Sequence, residues 1–182
     1  MGIDVADDAR DLRYPIGRFE ASQVITRDQR GTWINDIDDL PANLRRAIAG
    51  LNGEQLDTPY RPDGWTVRQV IHHLADSHMN AYVRFRLALT ESVPTIKPYD
   101  EAAWARLPDA KVASIEPSLK LLDSLHERLT ILLRSMEDAD FQRSFRHPER
   151  GEMRLDTNLG LYSWHGRHHV AHIQQLREKE DW

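Results

Sequence analysis

The chain has 182 residues, 24 Lys and Arg against 29 Asp and Glu, a net charge of -5 and no cysteine. That length predicts one domain over residues 1–182, and the acidic balance argues against nucleic acid as a partner, because phosphate neutralisation needs a basic surface. Without cysteine there are no disulfides, thiolate nucleophiles or zinc–thiolate sites, so any metal must be held by nitrogen and oxygen. No apolar run approaches the ~20 residues of a membrane span, which predicts no membrane partner. The N-terminal stretch MGIDVADDARDLRYPIG is acidic and lacks the apolar core of a signal peptide, so the expected location is cytoplasmic.

Residues 1–25 are polar and aperiodic, broken by Pro15 and Gly17, and predict an extended arm. From Arg27 to Leu51, Trp33, Ile34, Ile37, Leu40, Leu44 and Ile48 recur at helical spacing. Pro41 predicts a kink or break there, and Asn52-Gly53 an end. A loop from Asp57 to Trp65 leads into Thr66, whose hydroxyl, with Gln69 three residues on, makes a capping-box pattern. The second helix runs to about Thr90. Its apolar stripe is Val67, Ile71, Leu74, Tyr82, Phe85 and Leu89, flanked by the smaller Val70, Ser77, Ala81 and Ala88.

A two-proline loop follows, with a short helix expected around Ala102–Leu107. The third long helix spans about Ser114–Met136, and residues 138–156 are irregular, with a turn at HPERGE that could close a short hairpin. The fourth long helix begins near Thr157 and ends near Lys179. Four long amphipathic helices with almost no strand pattern predict an all-α, antiparallel four-helix bundle.

The fourth helix carries WHGRHHVAHIQQL, Trp164 to Leu176, with four of the nine histidines. On a wheel of about 100° per residue, Leu161, Tyr162, His165, His169, His172 and Leu176 share the apolar face, with His168 at its edge. Two i, i+4 pairs result, His165 with His169 and His168 with His172. Each can clamp a metal from one turn of helix. The second helix offers a third ligand in IHHLADSH: His73 borders the small-residue strip, while His72 points about 100° away. His126 reads as a helix-face residue and His147 as a loop residue. The competing reading is an interhelical hydrogen-bond network without metal, which must satisfy each buried nitrogen or lose ~1–3 kcal/mol for it.

Three neutral imidazoles leave a coordination position open, the layout of a catalytic rather than a structural site. Such a site suits zinc or nickel, and also iron, cobalt or manganese, and lowers the pKa of water or a thiol placed there. Asp76 could orient one imidazole.

The stretches WTVRQVIHHLADSHMNAYVRFRLALTE, PTIKPYDEAAWA and LYSWHGRHHVAHI resemble the YfiT group of the DinB superfamily, and the likeness extends from YPIGRFE almost to the C-terminus. The resemblance implies a four-helix bundle and one divalent metal per chain, held by a histidine of the second helix and an i, i+4 pair of the last. The superfamily pattern places the first ligand before a Leu-x-Asp segment and the last before a short segment ending in Gln. Carried over, the trio is His73, His168 and His172, with His72 one step from the first position and His165/His169 as the alternative clamp. His165 and His169 would then orient ligands or carry protons. The group also implies a homodimer.

Members of the group are described as metal-dependent hydrolases and resemble bacillithiol S-transferases. The leading expectation is transfer of a low-molecular-weight thiol to a small electrophile; a chain without cysteine must take its sulfur from a cosubstrate. Arg84, Arg86 and Arg167 are candidate anchors for that thiol, and Trp65, Trp104, Trp164 and Tyr99 candidate stacking surfaces. Hydrolysis by activated water is the alternative, and a non-catalytic metal-binding bundle the third reading.

Overall fold

The computed structural model describes residues 12–182. Its long helices are α1 (Arg27–Ile48), α3 (Val67–Thr90), α6 (Glu116–Ser135) and α8 (Leu155–Glu180). Between them lie the short helices α2 (Gly53–Leu56), α4 (Glu101–Trp104), α5 (Pro108–Val112) and α7 (Asp138–Phe141), and a hairpin of β1 (Ser144–His147) and β2 (Gly151–Arg154). Among the described residues no helix is long and apolar enough to cross a membrane.

The expected capping box opens α3: the Thr66 hydroxyl accepts from the Gln69 N–H at 3.2 Å, and the Gln69 side chain accepts from the Thr66 N–H at 2.9 Å. Two expectations about α1 are corrected. Pro41 does not break it; the helix passes through, leaving the Ile37 carbonyl without the N–H that a residue four positions on would supply. The end comes at Ile48, where Gly50 takes the left-handed conformation (φ +80°). Asn52, expected as part of that stop, caps α2 instead. The short hairpin expected around HPERGE forms across residues 144–154, and Ile96 joins it by donating to the Arg146 carbonyl at 3.0 Å.

The four long helices form a bundle in which each packs on two neighbours, in ring order α1, α6, α3, α8. Contacts climb together along α1 and α8: Trp33 meets Gly160, Ser163 bonds Asp36, Leu40 meets Gly166 and Arg177 bonds the Ala47 carbonyl. Those two helices therefore run parallel. So do α3 and α6, where His72 meets Ser118 and His78 meets His126. The α1/α6 and α3/α8 pairs are antiparallel, whereas the parallel run of the consecutive long helices α3 and α6 requires a long crossover, which carries α4 and α5.

Gly160 and Gly166 give α8 a thin side against α1. A Cβ at Gly160 would sit 2.9 Å from the Trp33 ring, and one at Gly166 2.7 Å from Leu40. Gly160→Val should cost about 1–3 kcal/mol by overpacking. Thermal denaturation reads that as a melting point lower by roughly 2–4 °C for each kcal/mol.

The core is divided. One apolar cluster gathers Leu40, Leu44, Ile71, Leu74, Leu122 and Ile173; the other gathers Ile37, Phe85, Leu129, Leu133, Leu155 and Leu159. Between them the bundle is crossed by a layer of imidazoles.

Candidate metal centre

All the histidines expected at a site are partly or fully buried. His72 is 8% exposed, His73 5%, His168 6%, His169 7% and His172 2%. α3 and α8 are antiparallel neighbours, so the apolar face of α8 lays its imidazoles against α3. The ligand nitrogens of His73, His165 and His169 lie within 4.8 Å of one another, and those of His168, His169 and His172 form a second such group. The trio carried over from the resemblance thus crosses two groups: His73 stands with the His165/His169 clamp, and His168 with His172 and His169.

In the first group, His73 Nε2 and His165 Nε2 are 3.1 Å apart. His169 meets both rings edge-on, at centroid distances of 4.9 and 4.6 Å. Two nitrogens held at the usual 2.0–2.1 Å from a tetrahedral ion stand about 3.3 Å apart, so the spacing fits two ligands of one metal. Burial keeps these rings neutral and their lone pairs free. It lowers His73 to about 4, and with neighbouring imidazoles it holds His165 and His169 well below the usual histidine range. Among the described residues, His169 Nδ1 and His168 Nδ1 are buried without a hydrogen-bond partner. The donor set, all neutral nitrogen, fits a borderline divalent ion such as zinc or nickel.

Aromatic walls surround the group. Trp65 leans on His73 at 4.6 Å, Tyr60 stacks on His172 at 4.0 Å and Trp164 on His168 at 4.4 Å. The arm crosses here: Trp164 Nε1 donates to the Gly17 carbonyl at 3.1 Å, and Tyr14 approaches His168 at 6.0 Å. Residues 1–11 of the expected arm lie outside the described residues.

The histidines open onto a pocket of about 810 Å³, lined also by Tyr60, Trp65, Arg84, Tyr99, Glu101, Arg150 and Tyr162. Burial raises the pKa of both Tyr99 and Tyr162, so both phenols stay protonated donors. Of the three expected anchors, Arg84 lines this pocket and donates to Tyr162 Oη at 3.3 Å. Arg86 turns to Tyr82 Oη (2.9 Å) and Arg167 pairs with Asp36 (3.4 Å). Trp104 packs on Tyr99 at 4.5 Å.

His72 turns toward α6, its Nδ1 2.8 Å from Ser118 Oγ. Asp76 is pushed up to about 6 by burial and by Asp109. His126 is corrected: it is 1% exposed, not on a helix surface. Its Nδ1 lies 2.5 Å from the Ile37 carbonyl and its Nε2 3.0 Å from His78 Nδ1. The signal was present in the sequence, because His126 follows Leu122 by four and precedes Leu129 by three, on the apolar stripe. His147 ends β1 rather than lying in a loop, is 7% exposed and accepts from the Glu149 N–H at 3.2 Å.

The DinB superfamily model matches residues 36–173. A Bacillus mycoides protein named "Putative metal-dependent hydrolase" is 57% identical over 173 residues, covering 95% of this chain and 99% of its own length. A Bacillus cereus (strain B4264) protein so named is 57% identical over 172 residues, covering 94% of this chain and 99% of itself. The solved structure of YfiT from Bacillus subtilis, described as "a probable metal-dependent hydrolase with an unusual four-helix bundle topology", superposes with a TM-score of 0.93 at 49% identity, over 95% of this chain and 99% of that one. With its fold, its buried imidazole layer and these relatives in agreement, the chain belongs to the DinB superfamily.

Proposed function

We propose that this chain is a metal-dependent enzyme whose His73, His165 and His169 hold one divalent ion that activates a small nucleophile, a low-molecular-weight thiol, for transfer to an electrophile. The observation that carries the reading is the convergence of three neutral imidazoles, two buried and His165 half-buried, at the wall of an open pocket. A divalent ion held there supplies Lewis acidity and lowers the pKa of the nucleophile placed beside it.

The protein's own groups do the rest. The three rings give lone pairs and keep their geometry because helix backbones and Trp65 fix them. Tyr99 and Tyr162 present O–H donors toward a substrate heteroatom, and Arg84 adds positive charge beside Tyr162. The neighbouring imidazoles His168 and His172 are both lowered to about 4, first by burial, which makes them weak bases near pH 7. A sulfur nucleophile would have to come from a cosubstrate, because the chain has no cysteine.

Hydrolysis is the second reading, favoured by the names of the Bacillus relatives. Metal analysis on chain purified without affinity histidines, followed by thiol titration of a cobalt-substituted form, separates the two. About one ion per chain and an intense sulfur-to-cobalt band on adding bacillithiol or cysteine is the expected result. One ion with no thiol response, and metal-dependent ester or amide cleavage, would move the assignment to hydrolysis. A chain that takes up no ion would return the histidines to a hydrogen-bond network.

A further inference from the structure

Two buried histidines have no part in that chemistry. His78 is fully buried and His126 is 1% exposed, and both sit in the polar layer between the apolar clusters. They form a row. His126 Nδ1 lies 2.5 Å from the Ile37 carbonyl, His126 Nε2 3.0 Å from His78 Nδ1, and His78 Nε2 3.3 Å from His165 Nδ1.

The row has one direction. A carbonyl only accepts, so the first proton must stand on His126 Nδ1. The Ile37 carbonyl is available for it because Pro41, four residues on, has no N–H to donate. With one proton on each ring, His126 Nε2 is then bare and must accept from His78 Nδ1–H. His78 Nε2 is bare in turn and accepts from His165 Nδ1–H. Three gaps take three protons from three rings, and His165 Nε2 is left with its lone pair facing His73 Nε2. A row with protons in the opposite sense would set the His126 lone pair against the Ile37 carbonyl oxygen.

We infer that Pro41, His126 and His78 are positioning residues: they lock His165 into its Nδ1–H tautomer and so present Nε2 as a ligand before any ion arrives. The inference rests on the reading of His165 as a ligand. Metal-bound histidines ordinarily give their second N–H to a carboxylate, carbonyl or water, and loss of such a partner weakens metal binding about 10–100-fold. Here the carbonyl that ends the relay lies two rings away, on α1, a helix that supplies no ligand.

Two-bond 1H–15N correlation spectra of the full chain, metal-free and zinc-loaded, test it. His126, His78 and His165 should each show a proton on Nδ1 in both states. An Nε2–H signal from His165 in the metal-free chain would overturn the inference. His126→Phe should scatter the His78 and His165 tautomers and weaken zinc binding about 10–100-fold. His126→Gln, with an amide oxygen able to accept from His78, should restore both within a few-fold. If both variants lose stability alike while the His165 tautomer and zinc affinity stay fixed, the row is structural only and the inference fails. Should His126→Phe not fold, the spectra of the unaltered chain decide alone. An intact Nδ1–H row in a chain that binds no zinc would remove the metal reading and leave the row standing.

Discussion

His165→Ala and His169→Ala should each abolish stoichiometric metal binding, while His168→Ala and His172→Ala keep about one ion per chain. Both pairs share the i, i+4 spacing, so spacing does not separate them. What separates them is α3: His73 Nε2 stands 3.1 Å from His165 Nε2, and the His73 ring meets His169 at 4.9 Å. His168 and His172 sit under Trp164 and Tyr60 instead. Removing one of three ligands should weaken zinc by more than the ~10–100-fold expected for a partner one layer out. His73→Ala should match the His165 and His169 variants. Isothermal titration with zinc, backed by metal analysis, reads the result. Loss of metal in the His168 and His172 variants, with retention in the other pair, would reverse the assignment and restore the trio His73, His168 and His172.

The second large effect is acid sensitivity of the metal-free chain. Every one of the nine histidines has its pKa lowered, with burial the leading cause. His73, His168 and His172 fall from 6.5 to about 4. In a folded chain these rings refuse protons that the unfolded chain accepts. Between pH 6.5 and about 4 the unfolded state therefore binds more protons, and stability falls as pH falls. Above pH 6.5 both states are neutral and the effect vanishes. His73, the most deeply enclosed of the three, contributes on the order of 3 kcal/mol when considered alone, and His168 and His172, which line the open pocket, less because solvent screens them. Asp76, raised to about 6, and Glu101, also raised by burial, work the other way: their contribution is present at low pH and lost as pH rises through their folded-state values. Two carboxyls do not offset nine histidines. Against a typical stability of about 5–15 kcal/mol, the layer should bring the metal-free chain to unfolding between pH 5 and 4. Urea midpoints in the presence of chelator, at pH 7.5, 6 and 5, should drop steeply below 6.5. A flat profile would mean that water or counter-ions reach the imidazoles.

Much of this was legible in the residues. Thr66 and Gln69 fix the start of α3, and the 3–4 spacing of Leu119, Leu122, Leu129 and Leu133 fixes the inner face of α6. The presence of a histidine site between α3 and α8 followed from two clamps on one apolar face. Which clamp meets His73 did not, because it depends on how α8 is rotated about its axis. Gly160, Ser163 and Gly166 set that rotation by turning their small side to α1, which leaves His165 and His169 about 140° round, on the side that faces α3. The parallel pairing of α1 with α8 was equally hidden, since loop lengths alone do not say which helices are neighbours. Pro41 was read as a kink or break because sequence rules count the hydrogen bond it loses; they cannot see a histidine from another helix using the freed carbonyl.

The parallel seating of α8 against α1 bears on how the chain is made. The earliest long helix has its glycine-fitted neighbour in the last one, more than a hundred residues later. During synthesis at roughly 5–20 residues per second, α1, α3 and α6 must wait several seconds with their inner faces uncovered. His73 waits too, for both remaining members of its cluster ride on α8. Closure of the bundle and assembly of the histidine cluster are thus one late event, and a ribosome-bound chain stalled before residue 165 would have neither.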